Sequence, residues 1–209
     1  MTFLFDIGRV LLDFDFEASL TRLLPPEVTE SHARLALLLE QKDPFEAGAI
    51  APDAYVEWAL DVLGSTASAE QFRHAWRDVF TPNEAMWQEV RQLAAAGHQL
   101  ILFSNTNALH CPWAFEAFPE FNLFHAAVLS FQVGAIKPDP TIYEYAIATH
   151  HLEPATTLYI DDLAANIATG RAHGFRCFQY DQADHPAFQQ WLRGELEAQP
   201  ARAARRQAR

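Results

Sequence analysis

Thr2-Phe3-Leu4-Phe5, a short apolar run, ends in Asp6-Ile7-Gly8-Arg9-Val10, and the rest of the chain is legible from that junction. A run of this length and composition reads as a parallel strand buried on both faces, which leaves Asp6 at the strand's carboxyl end. Three later segments carry residues of related chemistry: Phe103-Ser104-Asn105-Thr106, Gly134-Ala135-Ile136-Lys137-Pro138-Asp139-Pro140, and Tyr159-Ile160-Asp161-Asp162 followed by Asn166. All but the lysine loop again follow an apolar run. Because open α/β sheets bind ligands at the carboxyl edge of their strands, the four segments are expected to meet there.

Strand signals fall at Thr2 to Phe5, Gln99 to Phe103, Ala127 to Leu129, Thr157 to Ile160 and Arg176 to Tyr180. Helical patterns lie among the later ones, at Glu84 to Ala96 closed by Gly97, Thr141 to His151, and Leu163 to His173 closed by Gly174. This alternation predicts an α/β fold with a doubly wound parallel sheet. Between about Phe14 and Thr81 the periodicity is helical, as in Ala33 to Leu39 and Ala54 to Leu60, with no clear strand. An all-helical insert after the first strand accounts for it. The expected organisation is therefore a core of residues 1–13 and 82–197, a helical cap of residues 14–81, and a basic tail of residues 198–209 that is a frayed helix end or a disordered extension.

With 209 residues, half of them hydrophobic, the chain can bury a substantial core. Its formal net charge of -12 argues against nucleic acid or an anionic membrane as a partner. Four arginines lie in the tail, leaving 11 basic against 27 acidic residues elsewhere. Two cysteines, Cys111 and Cys177, are too few and too far apart for a disulfide framework or a zinc site, which predicts a cytoplasmic protein. The opening residues lack the pattern of a signal peptide, and no apolar stretch approaches the roughly 20 residues of a membrane helix.

Taken together, the Phe-Asp-x-Gly-x-Val-Leu opening, Ser-Asn-Thr-Asn, Lys-Pro-Asp-Pro-x-Ile-Tyr and Asp-Asp-x-x-x-Asn resemble the haloacid dehalogenase-like (HAD) hydrolase superfamily. Within it they are most similar to the branch holding alpha-D-glucose-1-phosphate phosphatase and the phosphatase domain of soluble epoxide hydrolase. The resemblance covers the chain to about Leu196 and implies a Rossmann-like core with a small helical cap. It also implies a Mg2+-dependent phosphatase for small phosphorylated metabolites such as sugar phosphates. Asp6 would be the nucleophile, forming an aspartyl-phosphate that water hydrolyses. Asp6, Asp162 and the backbone carbonyl of Gly8 would hold magnesium, with Asp161 a weaker or water-mediated ligand and Asn166 orienting the cluster. Ser104 and the backbone N–H of Asn105 would donate to phosphoryl oxygens, and Lys137 would supply fixed positive charge.

At Gly8 the chain departs from the commonest superfamily pattern, in which a second aspartate protonates the leaving alcohol and then activates water. General acid-base help is worth about 10²–10⁴ in rate. Without a substitute, rates should rise as the leaving group's pKa falls; Asp13, Asp15 or an ordered water could replace the missing group. The histidines His110, His125, His150, His151 and His173 lack metal-ligand spacing, Trp58, Trp76 and Trp87 read as core residues, and no local pattern marks Cys111 as a nucleophile. Two alternatives remain. A 2-haloacid dehalogenase would have little use for Asp161-Asp162, and a non-catalytic phosphosugar-binding or protein-binding module would have little use for Asp6, Lys137 and Asp162 together.

Overall fold

A computed structural model describes residues 1–25 and 31–207. Five strands form one parallel sheet: β1 (Thr2–Phe5), β4 (Gln99–Ser104), β5 (Ala126–Leu129), β6 (Thr157–Asp161) and β7 (Arg176–Gln179), in the order β5-β4-β1-β6-β7. β1 is central, with Phe5 in register with Leu102 on one side and Ile160 on the other. The chain winds outward from β1 through β4 and β5, then returns to β1's other side at β6, so a topological switch point lies at the end of β1.

The strands read as continuous apolar runs because both faces of the sheet are covered. Phe3, Phe5, Leu100, Leu102, Leu158 and Ile160 point to one side, against Trp87, Val90 and Leu93 of a helix (Glu84–Ala95) and Phe188 and Leu192 of the C-terminal helix (His185–Gln207). Leu4, Ile101, Phe103 and Tyr159 point to the other, against Ile142, Tyr143 and Ala146 of a helix spanning Pro140–Thr149 and Ile167 of one spanning Ala164–Ala172. The basic stretch at the C-terminus continues the last helix to Gln207; Ala208 and Arg209 lie outside the described residues.

Between β1 and β4 the chain forms helices at Phe16–Leu20, Ser31–Leu38, Lys42–Glu46, Pro52–Leu63 and Ala69–Arg77. They enclose an apolar cluster of their own, containing Leu20, Leu38, Phe45, Tyr55, Phe72 and Trp76. Trp76 and Trp87 are buried in cores, and Trp58 packs against the helical cluster. The expectation of no strand in this interval needs correction. A two-stranded antiparallel ladder, β2 (Leu12–Phe14) with β3 (Phe80–Pro82), joins the entry and exit of the helical segment. Three residues per strand, one of them proline, carry too little pattern to be read locally, and the pairing is made by the fold. Asn83 fixes the exit: its Nδ2 donates to the Val10 carbonyl at 2.8 Å and to Tyr180 Oη at 3.0 Å, and its side chain caps the following helix.

Candidate active site

β1, β4 and β6 end side by side, and their last residues and successors deliver Asp6, Ser104, Asp161 and Asp162 to one place. Lys137 comes from the loop before the Pro140–Thr149 helix and is 3% exposed. Its ammonium lies 2.9 Å from Asp6 Oδ1 and donates to Asp161 Oδ2 at 2.6 Å and to the Phe103 carbonyl at 2.7 Å. Burial would lower the lysine's pKa, but the Asp161 and Asp6 carboxylates overcome it and hold the group above its ordinary range. Asn105 clamps the loop in position. Its Oδ1 accepts from the Lys137 N–H at 2.7 Å, and its Nδ2 donates to the Lys137 carbonyl at 2.8 Å.

The adjacent aspartates Asp161 and Asp162 have different surroundings. Asp161 is fully buried, and both oxygens are engaged: Oδ2 by Lys137, by Tyr159 Oη at 2.6 Å and by Asn166 Nδ2 at 3.1 Å, Oδ1 by the Leu163 N–H at 2.9 Å and by Asn166 Nδ2 at 3.0 Å. Asp162 is half-buried, and its backbone carbonyl accepts from Gln179 Nε2. Asp6, Asp161 and Asp162 each offer an oxygen within 4.8 Å of the others. Three carboxylates against one ammonium is an excess of negative charge. Burial, then Asp6 and Asp161, push Asp162 up to about 6, and burial raises Asp6 despite the opposing pull of Lys137 and the Ser104 hydroxyl. A small, hard divalent cation with oxygen preference fits this donor set.

Asp162 releases its proton near its ordinary 3.8 when unfolded but near 6 when folded. The folded state therefore binds more protons between those values, and the penalty is fully present above pH 6 and absent below pH 4. Asp162→Asn should raise the melting temperature of the metal-free protein at pH 7.5, and the gap should close as the pH falls to 4. Thermal denaturation in chelator checks this; a gap independent of pH would disprove it.

A cavity of about 470 Å³ opens above these residues. Asp6, Gly8, Ser104, Lys137 and Asp162 line its floor, and Glu17, His32, Leu35, Leu39, Lys42 and Glu46 reach it from the helical segment. Asp13 and Asp15 do not line it. Asp13 pairs with Arg9 and Asp15 caps the Phe16–Leu20 helix by accepting from the Ala18 N–H, so neither replaces the group absent at Gly8. A Cβ at Gly8 would stand 3.2 Å from the Phe14 ring, so a side chain there would need that ring to give way. His110 lines the cavity, but burial drives its pKa down to about 3, and its ring is held between the Trp76 carbonyl and Asn107. The Cys111 thiol, buried and raised to about 11, is equally inert. Glu46, which the sequence did not single out, is the buried acid that reaches the cavity from the helices; Gly48, two residues on, is the one local sign of close packing there.

Residues 1–174 match the family model of haloacid dehalogenase-like hydrolases. A D-ribitol-5-phosphate phosphatase of Bacteroides thetaiotaomicron is 27% identical, the match covering 84% of this chain and 89% of that protein. A sesquiterpene phosphatase of Aspergillus oryzae is 25% identical over 82% of this chain and 85% of its own. The crystal structure of a HAD family enzyme from B. thetaiotaomicron, in complex with magnesium and inorganic phosphate, superposes with a TM-score of 0.74 at 21% identity, covering 87% of this chain and 94% of that one. With more than half its length matched, the chain belongs to the haloacid dehalogenase-like hydrolases.

Proposed function

We propose that the protein is a magnesium-dependent phosphatase of small phosphorylated metabolites, working through an aspartyl-phosphate on Asp6. The observation that carries this reading is the buried Asp6–Lys137–Asp161 cluster with Asp162 beside it, at the floor of a cavity roomy enough for a small metabolite. Phosphate monoesters need catalysis of up to about 10²¹, which calls for a nucleophile together with positive charge on the phosphoryl oxygens. Asp6 is the carboxylate closest to hand for in-line attack. Lys137 holds it in place and lends its charge, while Ser104 donates to a phosphoryl oxygen and the backbone N–H of Asn105 does the same. Asp6, Asp162 and the Gly8 carbonyl would hold Mg2+, which supplies further charge for the phosphoryl oxygens when bound. Asp161 contributes through its fixed charge or a bridging water, because its oxygens are already occupied by Lys137, Tyr159, Leu163 and Asn166; Asn166 keeps it so.

Sugar or polyol phosphates, glucose 1-phosphate among them, are the substrate class we favour, supported by the resemblance of the motifs and by the ribitol-5-phosphate phosphatase relative. Phe14, Phe16, Leu35, Leu39 and Phe80 along the cavity favour a second reading, a phosphate ester with an apolar leaving group, in keeping with the sesquiterpene phosphatase relative. A screen of both classes with Mg2+ and again with chelator separates them: the preferred class should show the higher kcat/KM, and activity surviving chelation would exclude metal dependence. Asp162→Ala should raise the Mg2+ concentration for half-maximal activity at least about tenfold. An unchanged titration would remove Asp162 from the metal site.

A further inference from the structure

Glu46 closes a helix of the insert (Lys42–Glu46), yet it belongs physically to the core. Its backbone carbonyl accepts from Ser130 Oγ at 2.6 Å, and the same Oγ accepts from the Thr106 N–H at 2.9 Å, two residues beyond Ser104. Gly48 adopts φ 72°, and a Cβ there would fall 2.3 Å from the Phe131 carbonyl oxygen, so the insert's backbone rests directly on the segment after β5. From behind, Phe45 stacks on Tyr55 with centroids 4.0 Å apart. These contacts fix the backbone from which the carboxyl reaches the cavity it shares with Asp6.

The residue is 9% exposed and stands outside the three-acid cluster. Lys42 Nζ lies 3.0 Å from Oε2, an ion-pair distance, although that oxygen has no partner of hydrogen-bond geometry. Burial holds the carboxyl above the ordinary range against the pull of Lys42, and Asp43 and Asp6 add to the rise. Tyr55 faces it from the neighbouring helix, and Glu17 and His32 share the cavity. A carboxyl held up in this way, lining the cavity it shares with Asp6, is suited to give and take a proton there.

We propose that Glu46 is the proton donor and acceptor for phosphoryl transfer at Asp6, a role that rests on the phosphatase reading above. In the first step an Asp6 carboxylate oxygen bonds to phosphorus. The bond from phosphorus to the leaving oxygen breaks, its electron pair staying on that oxygen, and Glu46 hands over its proton so that an alcohol departs. In the second step a water attacks phosphorus and gives a proton to the Glu46 carboxylate. The phosphorus–Asp6 bond breaks, and inorganic phosphate, the Asp6 carboxylate and protonated Glu46 are regenerated. The wild type, so equipped, should depend only weakly on leaving-group pKa despite Gly8.

The test compares kcat/KM of wild type and Glu46→Gln, with Mg2+, on 4-nitrophenyl, phenyl and primary alkyl phosphates. On the alkyl ester the variant should lose about 10²–10⁴-fold, and on 4-nitrophenyl phosphate, whose leaving group needs no proton, less than about threefold. The wild type's loss of alkyl-ester activity at high pH should vanish in the variant. An equal loss on all three esters, or a change confined to KM, would overturn the proposal and leave Glu46 a recognition or packing residue. If Glu46→Gln does not fold, Glu46→Asp carries the test: it should retain the wild type's shallow leaving-group dependence at lower rates, and a steep dependence would count against proton transfer from this position. A wild type inactive on every ester would instead overturn the phosphatase reading itself.

Discussion

Asp6→Asn should abolish turnover, by about 10⁴-fold or more, while the protein stays folded. The amide matches the carboxylate in shape, so the packing at the end of β1 is kept and the Asp6 N–H still donates to the Ile160 carbonyl at 3.0 Å. On the proposed mechanism, what is lost is a nucleophilic oxygen anion and an oxygen ligand for magnesium, and neither neighbouring aspartate stands in its place. Asp161 has both oxygens engaged by hydrogen bonds, and Asp162 lies on a different strand end. Loss of a nucleophile that acts as a unit with its surroundings costs nearly the whole of catalysis. Melting within a few degrees of wild type, together with phosphate release at background level, is the expected pair of results. A wild-type rate would remove Asp6 from the mechanism.

Lys137→Met should also end activity, but by a different route and with a large effect on stability. The ammonium is the common partner of two buried carboxylates, and its removal leaves Asp6 and Asp161 facing each other with no countercharge. Breaking a buried pair by deleting one partner costs about 3–5 kcal/mol. Urea denaturation in chelator should show a lower midpoint with an unchanged slope, and Mg2+ should recover part of the loss by binding the folded state. A midpoint equal to wild type would show that the lysine's charge is not what holds the carboxylates together.

All five strands of the main sheet were legible because each is a short apolar run covered on both faces, and because glycines such as Gly97 and Gly174 close the helices between them at positive φ. The meeting of Asp6, Ser104 and Asp161 is legible for the same reason, since parallel strands place their carboxyl ends on one edge; Lys137 follows no strand, and only its motif points to it. What was not legible depends on contacts between distant parts of the chain. β2 and β3 are too short to carry a pattern and exist through each other. The difference between Asp161 and Asp162 needs the hydrogen bonds of Tyr159, Lys137 and Asn166 to be seen. In the sequence only the backbone N–H of Asn105 suggests a role, whereas its side chain is what fastens the lysine loop. Glu46 looks like any glutamate in a short helix until Ser130, 84 residues away, ties it to the core.

The proposed function turns on a metal-assisted attack by Asp6 on phosphorus, and the most direct measurement is phosphate release from 4-nitrophenyl phosphate by the wild type in Mg2+, in chelator, and in chelator with Mg2+ restored. Turnover that disappears in chelator and returns with Mg2+ is the predicted result; turnover unaffected by chelator, or none under any condition, would contradict it.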